Sequence, residues 1–214
     1  MKTKICLFIS AVIILSLTPP ARAELITIEI EAVVDGVLDE GNYLEDQISP
    51  GDIITGYYTY DSDTPDSNPL NSNVGDYWHY SQPCGIFLSV GGFDFQTDPT
   101  NVEFLVEIIN DYISGGLHDS YGLRSYNNLS LSNGTSVYHI QWWLSDDTAG
   151  AISSDTIPTI APSLEDWESL NFLRLEGEKG VYIVDAHVTS TVLVPEPTTL
   201  LFFALGASIL RKIN

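Results

Sequence analysis

The stretch LITIEIEAVV, residues 25–34, alternates Ile26, Ile28 and Ile30 with Thr27, Glu29 and Glu31. Successive side chains of a β-strand point to opposite faces, so a period of two puts one face against a core and the other in water. Working outward, IITGYYTY (53–60) is β-branched and aromatic, and IFLSVGGFDF (86–95) reads as two strands joined at Gly91-Gly92. Glycines at that junction suit a tight hairpin turn. VEFLVEII (102–109) and SVYHIQWWL (136–144) follow, the second with Tyr138, Ile140, Trp142 and Leu144 on one face and His139, Gln141 and Trp143 on the other. NFLRLEGEKGVYIVDAHVTSTVLV (171–194) predicts a hairpin turning at EGEKG, its second strand placing Tyr182, Val184, Ala186 and Val188 on one side. PSLEDWESL (162–170) predicts one short helix, with Ser163 as its cap and Asp166 in its first turn. Many short strands parted by polar turns predict an all-β protein, an antiparallel two-sheet β-sandwich or jelly roll with that one helix.

Charge is the most extreme feature of composition. Between Glu24 and Val194 stand 28 acidic residues and three basic ones, Arg124, Arg174 and Lys179, for a net charge of −25. Such a body is repelled by nucleic acid phosphates and by anionic headgroups, so no nucleic acid partner is expected. Its aromatic and β-branched content argues for a packed core rather than disorder.

The two ends read as addresses. Lys2 and Lys4, an apolar run from Ile5 to Thr18, and the small-x-small site Ala21-Arg22-Ala23 form a secretory signal peptide over residues 1–23, with signal peptidase cutting after Ala23. The exported body, residues 24–193, then carries Cys84 as its one cysteine, which excludes an internal disulfide and suits a small buried apolar side chain. Residues 194–214 read VPEPTTLLFFALGASILRKIN. Thr198 to Leu210 is thirteen residues, about 20 Å as a helix against a hydrocarbon core of about 30 Å, too short for a permanent span. Pro195 and Pro197 also rule out a core strand there. Arg211 and Lys212 would hold its far end on the cytoplasmic side.

Pro195-Glu196-Pro197, a Thr-Thr-Leu start, an apolar stretch with Gly206 and the basic end Arg211-Lys212 resemble the PEP-CTERM sorting segment, also called the ice-binding protein C-terminal domain. That resemblance implies export in a Gram-negative bacterium, transient inner-membrane insertion as a hydrophobic sorting helix, and recognition of Pro195, Glu196 and Pro197 by an exosortase. It further implies delivery to the cell surface or extracellular matrix. ISPGDIITGYYTYDSDTPDSNP (48–69), LSVGGFDFQTD (88–98) and SDDTAGAISSDTIPTIAPSLEDW (145–167) resemble segments found in many such exported proteins, with no activity attached to them.

Candidate sites in the body are few. Asp61, Asp63, Asp66 and Asn68 gather hard oxygens on one loop, a candidate Ca²⁺ site. The alternative is a solvated turn in which the same side chains cap local backbone. DYWHY (76–80) and QWW (141–143) set aromatic rings beside polar groups, making Trp78 and Trp143 candidates for stacking on sugar rings, with burial in the sheet as the alternative. No GxSxG, HExxH or P-loop is present, and His79, His118, His139 and His187 stand singly, so the reading is not an enzyme. The expected function is a structural or adhesive surface protein. A carbohydrate-binding module with extracellular polysaccharide as partner is the alternative, and a glycan-active enzyme the third reading.

Overall fold

A computed structural model describes residues 24–113 and 117–195. They form ten strands: β1 (Leu25–Leu38), β2 (Ile53–Asp61), β3 (Val74–His79), β4 (Gly85–Val90), β5 (Phe93–Gln96), β6 (Phe104–Ile113), β7 (Leu117–Ser125), β8 (Val137–Asp146), β9 (Leu170–Gly177) and β10 (Ile183–Val194). The alternation of residues 25–34 is realised: Ile26, Ile28, Ile30, Ala32 and Val34 are buried, while Glu29 and Glu31 face water. Gly91 and Gly92 take φ of 58° and 81°, the left-handed values a two-residue hairpin turn requires.

All ten strands join one antiparallel sheet in the order β3-β6-β7-β8-β9-β10-β1-β2-β4-β5. Two separately hydrogen-bonded sheets are expected from the sequence, but the ladder continues from one half to the other through β9, β10 and β1. Register shifts in the β1–β10 pairing, at Glu31/Ala32 and Val34/Gly36, mark where the central strands can bend, because an extra residue on one side tightens the local coil. Where β9 and β10 part, Asn171 replaces the ladder, accepting from Val188 N at 3.1 Å and donating to Val188 O at 2.7 Å.

The sheet curls so that its two halves face each other across the core. Tyr58 of β2 meets Tyr121 of β7 hydroxyl to hydroxyl at 3.0 Å, and Trp142 of β8 lies edge-on to both rings. These two strands stand five places apart in the sheet, so the contact defines the curl. The curl's edges are tied as well. Thr97, after β5, bridges Asn128, after β7, and its hydroxyl meets that of Ser125 at 2.7 Å. On β3, Asp76 N donates to the Asp66 carboxylate, and Ser67 N and Oγ both donate to Asp76 O.

The loop from Asp147 to Pro162 closes one end of the curl, with Tyr77 and Tyr60 hydroxyls donating to Asp155 O and Pro158 O. The helix expected over 162–170 is instead a 3-10 turn of three residues, Leu164–Asp166, and Ser163 makes no side-chain cap bond. The turn stops at Trp167, whose backbone leaves the helical region at φ −117° and ψ 82° and whose ring is buried against Tyr121. β10 ends at Val194, paired with Thr27. The signal and sorting residues Ala21, Ala23, Glu196, Pro197, Arg211 and Lys212 lie outside the described residues. Among the described residues no helix is long and apolar enough to cross a membrane.

Candidate functional site

β3 and β7, neither evident from the alternation of the sequence, create the most distinctive surface. On β3, Tyr77 and His79 point into the core, which sends Asp76, Trp78 and, just past the strand, Tyr80 to the outer face. Trp78 stacks on Tyr80, with centroids 6.1 Å apart and planes within 7°, and on Tyr126 at 5.4 Å. Tyr126 meets His139 edge-on at 5.3 Å, and His139 lies 3.8 Å from Tyr138. The rings therefore form one strip from β3, past the end of β7, to the start of β8. Its ends are open, Tyr80 being 68% and Tyr138 48% exposed. Tyr138, expected on the same face as Ile140 and Trp142, turns outward because a register shift between Val137 and His139 swaps the alternation and buries Val137 instead.

The strip has its own apolar floor. Leu105 is buried yet separate from the core cluster, and it faces Trp78 on one side and Arg124 on the other in register. Carboxylates surround the rings. Asp76 and Glu107 are cross-strand partners, and burial pushes both above their ordinary range, Asp66 adding to the rise of Asp76 and Arg124 opposing both. Glu103 accepts from Asn127 Nδ2 at 2.9 Å, and Glu176 sits opposite His139.

Trp143, the second candidate stacking residue, occupies the same outer face but a different setting. Its ring lies over Gly122, where an added Cβ would stand 2.2 Å from the ring, and the Arg124 guanidinium lies 4.9 Å from its centroid. Arg124 Nε is buried with no hydrogen-bond partner among the described residues. Trp143 thus fills the gap a glycine leaves in the sheet face and holds Arg124, while Trp78 belongs to the open strip.

The loop with Asp61, Asp63, Asp66 and Asn68 is organised around its own backbone. Asp61 Oδ1 accepts from Asp63 N at 2.9 Å, and Asp66 Oδ1 accepts from both Asn68 N and Asp76 N. Among the described residues no three His, Cys, Asp or Glu side chains are placed to hold a metal ion. In this arrangement the Asp61 and Asp66 carboxylates act as turn caps, and Asp66 seats the loop on β3. His79 completes the seat from inside, its Nε2 3.1 Å from Asp61 N and 3.0 Å from Thr64 Oγ1. Burial lowers the His79 pKa, against the opposing pull of the Asp61 carbonyl.

A buried imidazole held neutral gives stability that is complete above its unfolded pKa of about 6.5. As pH falls through that value the unfolded chain takes the proton first, and that stability is lost. His79→Gln is expected to show a smaller loss of melting temperature than wild type between about pH 7.5 and about pH 5.5. Thermal melts of both chains across that range check the sign. An identical slope would remove His79 from the pH response.

Two further carboxylates are buried, Asp119 and Asp146, cross-strand partners at one end of β7 and β8. Asp146 accepts from Gly150 N, Thr148 Oγ1 and Thr148 N, which hold its pKa below the usual range. Asp119 accepts from Asp111 N at 2.9 Å and Ile152 N at 3.0 Å. Oxygens committed to backbone amides in this way tether loops and are poorly placed for acid–base chemistry on a substrate. Cys84 is buried, and its thiol is pushed up to about 11, first by burial and then by Asp61, far from a reactive thiolate.

Comparisons with protein-family models, with curated proteins and with solved structures each found no match for this chain.

Proposed function

We propose that this chain is an exported protein of the cell surface or extracellular matrix that adheres to polysaccharide through the outer-face strip Tyr80–Trp78–Tyr126–His139–Tyr138. The reading divides it into a leader (1–23), a body (24–193) and a PEP-CTERM-like sorting segment (194–214) that an exosortase processes after transient insertion in the inner membrane. The leader pattern, the order of motifs in the tail and the acidic body support export. The facing halves of the curled sheet serve as the two layers of a sandwich or jelly roll, joined at β9, β10 and β1.

The continuous, open-ended strip carries the binding reading. Flat aromatic faces beside carboxylate acceptors suit a pyranose, whose C–H face stacks on a ring while its hydroxyls donate to oxygen. Trp78→Ala is expected to weaken retention of the full chain by polysaccharide at least about tenfold, which corresponds to about 1.4 kcal/mol. Its melting temperature should stay near wild type, because Trp78 lies outside the core. Native gels cast with soluble polysaccharides measure retention directly, and a variant retarded as strongly as wild type would remove the strip from binding.

The sorting segment makes a separate expectation. A chain ended after Pro195 keeps every described strand and should lose no more than about 0.5 kcal/mol of stability. It should also fail to reach the cell surface when expressed in its native setting, as surface labelling would show. Misfolding on truncation would place the tail in the domain.

A further inference from the structure

Polysaccharides divide chemically into uncharged chains and chains bearing carboxylate or sulfate, and the surroundings of the strip discriminate between them. Asp76, Glu103, Glu107 and Glu176 stand around the rings on the same outer face. The body's three basic side chains offset them only in part. Arg174 is committed to Asp185 by two bonds of 2.7 and 3.0 Å and lies on Phe172. Lys179 sits in the turn between β9 and β10, beside Glu178. Arg124 is the cation nearest the strip, and it is stacked on Trp143 with its Nε buried, its charge acting on Asp76 and Glu107. His139, the one titratable nitrogen within the strip, is held towards its neutral form by burial, with Glu176 opposing.

We infer that the strip, if it is the binding surface described above, takes an uncharged, hydroxyl-rich polysaccharide and rejects anionic ones through the ring of carboxylates Asp76, Glu103 and Glu107. Each carboxylate on an incoming uronate chain would meet this like-charged ring and the wider field of a body of net charge −25. Hydroxyl groups meet the same oxygens as acceptors. Repulsion of unwanted partners by like charge is an established route to specificity. It also predicts a dependence on salt, because screening shortens the reach of the repulsion to about 8 Å at physiological ionic strength.

Affinity electrophoresis of the full chain separates the possibilities. The probes are hydroxyethyl cellulose, galactomannan and dextran as neutral polymers, and alginate and polygalacturonate as anionic ones, each at low and at physiological salt. The expected result is retardation by at least one neutral polymer, abolished in Trp78→Ala, with no retardation by either uronate polymer at low salt. The variant Asp76→Asn/Glu103→Gln/Glu107→Gln keeps shape and hydrogen-bonding oxygens while removing three charges. It should keep neutral binding and gain uronate binding by at least about tenfold. Wild type retarded equally by uronate and neutral polymers would overturn the specificity inference and leave the strip as the binding surface, provided Trp78→Ala abolishes both. A triple variant that keeps neutral binding and gains nothing for uronates would also overturn it. If the triple variant loses its cooperative melt, Glu103→Gln alone, on the outer rim, carries the same comparison with a smaller gain. Retardation by none of the five polymers would overturn the strip reading itself.

Discussion

Trp142→Ala is expected to cost about 3–5 kcal/mol and to leave the chain partly unfolded at room temperature. Trp142 is fully buried at the centre of the curl, edge-on to Tyr58 and Tyr121, and its indole N–H donates to Asn171 Oδ1 at 3.2 Å. Removing it therefore opens a large cavity between the facing halves of the sheet. It also withdraws a donor from the side chain that stands in for the β9–β10 ladder at Val188. The total stability of a domain of this size is about 5–15 kcal/mol, so the loss is a large fraction of it. Trp142→Phe keeps most of the volume and should cost much less. Urea titration followed by circular dichroism measures both. A Trp142→Ala midpoint close to wild type would mean that the two halves do not depend on each other for burial.

Asp119→Ala is expected to be the most damaging change of a polar residue, at about 2–5 kcal/mol. The carboxylate is fully buried and holds Asp111 N, in the irregular stretch of β6, and Ile152 N, in the loop closing the end of the curl. Hydrogen bonds to a charged group contribute about 1.5–3 kcal/mol each, and the orphaned amides add a desolvation penalty. Asp119→Asn keeps one acceptor oxygen and should recover part of the loss. Thermal and urea unfolding check both variants, and an Asp119→Ala chain as stable as wild type would deny this carboxylate its tethering role.

The strands most legible in the sequence are those whose pattern is local. Ile26, Ile28 and Ile30, and Tyr182, Val184, Ala186 and Val188, announce their faces because burial there depends only on the pleat. β3 and β7 do not show in the alternation because their outward positions are set by distant partners. Gly122 makes sense only once the Trp143 ring is seen to cover it, and Gly75 only once Asp155 O is seen 2.4 Å from where its Cβ would stand. The strip follows the same rule: Trp78 is legible as a ring among polar neighbours, but Tyr126 and His139 join it only through the β3–β6–β7–β8 register. One sheet and two sheets share the same alternation along each strand. What separates them is whether β9, β10 and β1 carry the ladder round, and the extra residues that allow it, Asp35 in β1 and Thr189 in β10, leave no clear mark on the periodicity.

The binding surface can be tested at a single side chain. The chain has four tryptophans, Trp78 in the strip, Trp143 beside it, and Trp142 and Trp167 in the core, so four indole N–H resonances report four places at once. Titration with a neutral polysaccharide fragment that retards the protein should shift the Trp78 indole signal most and leave those of Trp142 and Trp167 in place. A Trp78 signal that stays fixed while binding saturates would contradict the strip as the site of adhesion.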